Sequence, residues 1–106
     1  MEKIDFASIA EIIKKPWAPI EIVRMDGYHL LISMFEGAYR FHKHDAEELF
    51  FVLKGTVEIE SKDKTVTLKE GEGLLLPKGL VHRSIAKEPS LVIMFERTNL
   101  KTVFVS

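Results

Sequence analysis

His42-Lys43-His44-Asp45-Ala46-Glu47-Glu48-Leu49-Phe50-Phe51-Val52-Leu53-Lys54-Gly55 reads as two short β-strands around a turn. The second, Glu48–Lys54, is too short for a globular helix, rich in β-formers and stopped by a glycine. His42 and His44 stand two apart, so on a strand their side chains share one face, about 7 Å apart at Cα. A reversal at Asp45-Ala46 brings Glu48 back beside them. Two imidazoles and a carboxylate gathered in this way suit a transition ion, although an H-x-H pair with nearby acids also occurs as a plain surface ion pair.

Outward from this stretch the same grammar repeats. Strand-like runs cover Ile20–Met25, Tyr28–Phe35, Tyr39–His44, Thr56–Ser61, Thr65–Lys69, Gly73–Leu76, His82–Ala86, Leu91–Arg97 and Lys101–Val105. Between them lie Asp26-Gly27, Glu36-Gly37, Lys54-Gly55, Lys62-Asp63-Lys64, Glu70-Gly71, Pro77-Lys78-Gly79 and Glu88-Pro89. Short strands with regular turn signals predict an all-β sandwich or barrel, and no spacer is long enough for the crossover helices of a parallel sheet. One helix is predicted, over Asp5–Lys15, capped by Asp5 or by a Ser8–Glu11 capping box and stopped by Pro16. The length predicts a single domain, with helix and entry segment over 1–18 and barrel over 19–106.

Composition narrows the chemistry. The chain has no cysteine, which excludes a disulfide scaffold, a thiolate metal site and a thiol nucleophile. A net charge of −1 offers no basic field for nucleic acid. No apolar run reaches the ~20 residues of a membrane span, and the acidic start does not read as a signal peptide, so a cytoplasmic protein is expected. Eleven lysines and twelve glutamates beside one asparagine and no glutamine point to heat adaptation. Leu49–Leu53 and Leu91–Phe95 are apolar on both faces, which predicts a homodimer burying the outer one.

A fourth histidine, His82, follows the Pro77-Lys78-Gly79 turn and is the distant candidate for the same site. In a closed barrel, strands far apart in sequence face one lumen. The spacings are Gly37-x4-His42-x-His44-x3-Glu48-x6-Gly55 and Gly71-x5-Pro77-x-Gly79-x2-His82. These resemble the two motifs of the cupin superfamily, and the chain looks like a small single-domain cupin of the mannose-6-phosphate isomerase-like kind. The first glycine is one residue nearer its histidine than usual, and Ala86 stands where an asparagine is usual.

The resemblance implies a double-stranded β-helix, a jelly-roll barrel of antiparallel strands, with one divalent transition ion (Fe, Mn, Ni, Co or Zn) on His42, His44, Glu48 and His82. Strand parity adds Arg40, Phe50 and Ser84 as ligand-binding residues and Val52 as wall. It turns Tyr39, Lys43 and Arg83 outward, and His29 matches no motif position. The family includes oxygenases, isomerases and non-catalytic sugar-binding modules. The implied function is therefore a metal-dependent enzyme for a small polar metabolite, or else a metal- or ligand-binding module, with no nucleic acid or membrane partner.

Overall fold

A computed structural model describes residues 1–105. Nine strands follow one short helix: β1 (Ile20–Met25), β2 (Tyr28–Ala38), β3 (His42–His44), β4 (Glu48–Lys54), β5 (Thr56–Ser61), β6 (Thr65–Lys69), β7 (Gly73–Leu76), β8 (His82–Arg97) and β9 (Thr102–Phe104), after α1 (Phe6–Glu11). All named strand pairs are antiparallel. The all-β architecture is thus the one the strand spacing indicates, and the antiparallel jelly roll the one the resemblance implies. Among the described residues no helix is long and apolar enough to cross a membrane.

Five of the runs, β1 and β4 to β7, form strands with the bounds read from the sequence, because each is closed by its own turn chemistry. The largest departure is β8. Two runs were expected around Glu88-Pro89, yet one 16-residue strand spans both. Its pairing with β2 passes from Phe35↔Ser90 to Gly37↔Ala86 through a register shift. The extra residues are absorbed as a bulge, where a proline costs no ladder bond. Strand β2 correspondingly runs through Glu36-Gly37 instead of turning there.

β8 links the two faces of the barrel. It pairs with β2 along most of its length, with β3 and β5 near its start, and with β4 near its end. Between these layers Ile32, Val52, Val57, Leu76 and Val92 are fully buried, and Phe35, Phe50, Ile59, Leu68 and Met94 close around them.

The helix is shorter than expected. Asp5 caps it, its Oδ1 accepting from Ser8 N–H at 3.2 Å, while Ser8 Oγ donates to Asp5 Oδ2 at 2.8 Å. Ser8 is therefore a helical residue and no Ser8–Glu11 box forms. The last turn tightens to i,i−3 bonds at Ile12 and Ile13, and Ile13 is buried. Pro16 disfavours helical backbone at Lys15, so the chain leaves the helix and enters the sheet by a Pro16↔Met34 bridge. Trp17 follows with φ 56, a left-handed conformation unusual for a bulky residue. Its N–H donates to Met34 O at 2.9 Å and its indole N–H to Glu36 O at 3.0 Å.

Gly55 is required for two reasons. Its φ is +94, and a Cβ would stand 2.3 Å from Ser90 Oγ. Ser90 is buried and tied to Thr56 and Glu88, so it has no room to yield. Gly71 also has positive φ (+83) but open space around it. Gly55→Ala should cost about 2–4 kcal/mol, combining left-handed strain with overpacking, and Gly71→Ala only the strain, about 1–2 kcal/mol. Urea denaturation of both variants checks this; equal losses would mean that the Ser90 contact is relieved by movement.

Candidate metal centre

β3 and β8 meet at His42↔His82, a directly opposed pair whose ring centroids are 4.5 Å apart. His44, two residues on along β3, shares their face at 4.9 Å from His42 and 5.4 Å from His82. One ring nitrogen from each of the three lies within 4.8 Å of the other two, a spacing that can hold a metal ion.

Ring orientation is set by the backbone. His42 Nδ1 is 2.7 Å from Arg40 O and His82 Nδ1 is 2.9 Å from Leu80 O. A carbonyl only accepts, so each Nδ1 carries the proton and each Nε2 keeps its lone pair. Both carbonyls belong to the residue two before the histidine. This outer hydrogen bond is how proteins orient metal-binding imidazoles. His44 Nδ1 lies 3.0 Å from Thr102 Oγ1 on β9, where either partner can donate.

Glu48 heads β4, and its Oε1 comes within 3.2 Å of His44 Nε2. The reversal between them is held by Asp45, which accepts the Lys101 N–H at 2.9 Å, and by Gly79 N–H on His44 O at 2.9 Å. Asp45 is thus a turn-former. Glu48 Oε1 and His82 Nε2 are buried with no hydrogen-bond partner among the described residues. An orphaned buried polar atom costs about 1–3 kcal/mol, and a bound cation would satisfy both atoms at once. Imidazole and carboxylate are the donor types of Fe, Mn, Ni, Co and Zn sites. The residues therefore fit a divalent ion.

Burial pushes His42 and His82 below the ordinary imidazole value, against smaller upward effects from their carbonyl partners and from Glu48. Burial acts downward on His44 too, but the Glu48 carboxylate beside it outweighs burial and holds it above that value. A second carboxyl completes the electrostatics: burial, then the charge and hydrogen bond of Glu48, push Glu96 up to about 8.

A cavity of about 170 Å³ is lined by His42, His44 and Glu48. Phe50 and Ser84 line it, together with Trp17, Phe35, Tyr39 and Met94. Trp17 stacks on Phe35 and Tyr39 at 4.7 and 4.8 Å. Arg40 stands elsewhere: it is exposed, with its guanidinium 4.0 Å over the Phe104 ring. Strand parity turned Arg40 inward and Tyr39 outward, and it fails there because both residues precede β3 and lie outside regular strand. Val52 is packed in the apolar core and not on the cavity wall. Lys43 is exposed, and Arg83 pairs with Glu60 at 3.1 Å over the Phe41 ring. His29 stands outside the three-imidazole group, its Nδ1 2.8 Å from Glu21 Oε1. Trp17 and Tyr39 are the cavity's unforeseen neighbours, and strand periodicity signals neither.

Residues 34–96, more than half of the chain, match the cupin domain family, Cupin_2. The chain belongs to the cupin family. This cupin is 35% identical over 100 residues to YdbB of Bacillus subtilis, covering 92% of this chain and 88% of YdbB. Among solved structures, a cupin-2 domain protein from Shewanella frigidimarina shares 33% identity, with a TM-score of 0.87 over 89% of this chain and 93% of that one. Hydroquinone 1,2-dioxygenase PnpCD, in complex with Cd2+ and 4-hydroxybenzonitrile, shares the fold at 19% identity, with a TM-score of 0.79 over 91% of this chain and 72% of that one.

His82→Ala should weaken divalent-ion binding by more than the roughly 10–100-fold that losing an outer partner costs, while His29→Ala leaves it unchanged. Calorimetric titration of both variants checks this, and equal affinity would remove His82 from the ligand set. Affinity should also fall as pH drops toward about 6, because ligating imidazoles must be neutral. His44, held above the ordinary value, protonates first, and His42 and His82, held below it, follow only at lower pH. A flat affinity between pH 8 and about 5.5 would exclude imidazole ligation.

Proposed function

We propose that this cupin is a metal-dependent enzyme, of oxygenase or isomerase type, acting on a small metabolite bound above His42, His44, His82 and Glu48. The reading is carried by one observation: two orphaned buried atoms, Glu48 Oε1 and His82 Nε2, gathered with two further imidazoles at a cavity. Four protein donors leave one or two positions of a five- or six-coordinate ion open, which a purely structural clip does not need. When bound, such an ion supplies Lewis acidity or, if redox-active, a centre for dioxygen chemistry.

The protein's own part is orientation and exclusion of water. Trp17, Phe35, Phe50 and Met94 give the cavity an apolar wall, while Ser33, Ser84 and Thr102 place hydroxyls on it. That lining suits a compact ligand with an apolar body and one or two oxygen handles. The Trp17–Phe35–Tyr39 stack offers a flat surface for a planar ligand. Arg40 is stacked on Phe104 and does not line the cavity.

Metal analysis of untagged protein, followed by oxygen uptake with Fe(II)-loaded protein and small phenols or keto acids, tests this reading. One equivalent of metal with substrate-dependent oxygen uptake supports an oxygenase. Metal and ligand binding with no turnover of any substrate class would replace the enzyme by the binding module.

A second copy of this chain is the occupant we propose for the outer sheet face. Leu30, Leu49, Phe51, Leu53, Ile93 and Phe95 form an all-apolar groove there, touched by the chain's own Phe6. Leu49 and Phe51 are still 41% and 39% exposed. The last strand, β9, pairs on β3 and gives this face no cover. Light scattering should give about twice the 12.1 kDa chain mass. A monomer mass at micromolar concentration would refute the dimer.

A further inference from the structure

Trp17 belongs to no strand, yet it forms part of the cavity wall. The chain arrives there through the Pro16↔Met34 bridge, and Pro19 lines the same cavity. A φ of 56 is a conformation that a bulky residue keeps only where its surroundings over-determine it. Here they do. The backbone N–H donates to Met34 O at 2.9 Å and the indole N–H to Glu36 O at 3.0 Å, so both ends of the residue are tied to β2. The ring is held 4.7 Å from Phe35 and 4.8 Å from Tyr39, two other residues of the wall. Strain that is held in place at a ligand cavity points to a role there.

Size and charge say what the cavity takes. An apolar cavity of about 150 Å³ takes up one benzene molecule. This one, at about 170 Å³, has room for one six-membered ring and little more. Among the described residues no lysine or arginine lines it, and its charged carboxyl is Glu48, so a second anionic group on the ligand would find no partner. Ser33 already donates to Met34 O at 3.2 Å, and Thr102 Oγ1 is 3.0 Å from His44 Nδ1. The wall therefore has few handles for a polyhydroxyl ligand.

We propose that Trp17 is the specificity-determining residue of this cavity, restricting it to one planar ring with a single oxygen donor, a small phenol in chemical class, and against sugar phosphates. Phe35 and Phe50 also face the cavity, but each is 4% exposed and serves the barrel core. Trp17 is half-buried and is added to the barrel from the segment before β1. The inference rests on the reading that a small ligand sits in this cavity beside the imidazoles, and it names the class of that ligand.

Trp17 is the only tryptophan of the chain, so its emission reports on this wall. Phenol, cyclohexanol and glucose 6-phosphate are titrated calorimetrically into the full chain and into Trp17→Phe and Trp17→Leu, with indole emission followed in the wild type. Each titration is run metal-free and after addition of Zn2+, so metal uptake and ring selectivity are read separately. Phenol should bind and change the wild-type emission. Cyclohexanol, of similar size but without a flat ring, should bind about 3–10-fold more weakly, the loss expected for one aromatic contact. Trp17→Phe should keep this preference, and Trp17→Leu should bring the two ligands to within about twofold. Glucose 6-phosphate should give no heat beyond dilution. Equal binding of phenol and cyclohexanol by the wild type would overturn the proposal, as would a preference that survives in Trp17→Leu. Phenol binding that leaves the emission unchanged would overturn it without any variant, since the ring would then lie away from Trp17. Glucose 6-phosphate binding more tightly than phenol would overturn the ligand class. A wild type that takes up no Zn2+ but still prefers phenol would overturn the metal reading and support this one.

Discussion

The pairing of one 16-residue strand with four others is the constraint on which this molecule depends. β8 carries His82 opposite His42 at its start and pairs with β4 near its end. Its middle contributes Ser90 and Val92 to the core. Because each partner strand is registered against the same backbone, a slip by one residue would turn every inward group outward. The bulge at Lys87–Pro89 lets one strand serve both faces of the barrel, and Gly55 lets the β4–β5 turn approach Ser90 closely enough to hold that bend.

The site is costly to keep in a chain of this size. Three imidazoles and two carboxyls sit where apolar side chains would pack without penalty, and two of their atoms lack partners. The buried cluster of Phe35, Phe50, Val52, Val57, Ile59, Leu68, Leu76, Val92 and Met94 offsets this. Phe50 and Met94 belong to both regions, so the apolar core and the cavity wall are continuous. A rigid apolar floor limits side-chain motion beneath the imidazoles, and the carbonyl of Arg40 or Leu80 restrains the rings of His42 and His82 from the side.

Sequence patterns carried furthest where geometry is local. Alternation set His42 and His44 on one face, and Gly55, Gly71 and Pro77-Lys78-Gly79 bounded their strands. Alternation failed at Tyr39 and Arg40 because parity is defined only inside a strand, and the chain there is irregular between β2 and β3. The helix signal over Asp5–Lys15 was truncated by tertiary packing, since Ile13 gains more by burial than by continuing the helix. The place of Trp17 on the cavity wall follows from a left-handed turn that no periodicity announces.

By itself the amino-acid sequence determined an all-β barrel, the shared face of His42 and His44, the return of Glu48 and the candidacy of His82. All of these follow from side-chain alternation, turn residues and motif spacing, which act over a few residues. Tertiary structure alone decided that His82 opposes His42 and that Tyr39 and not Arg40 meets the cavity. Those are contacts between strands remote in sequence, and their register is settled by the closure of the whole sheet around one core.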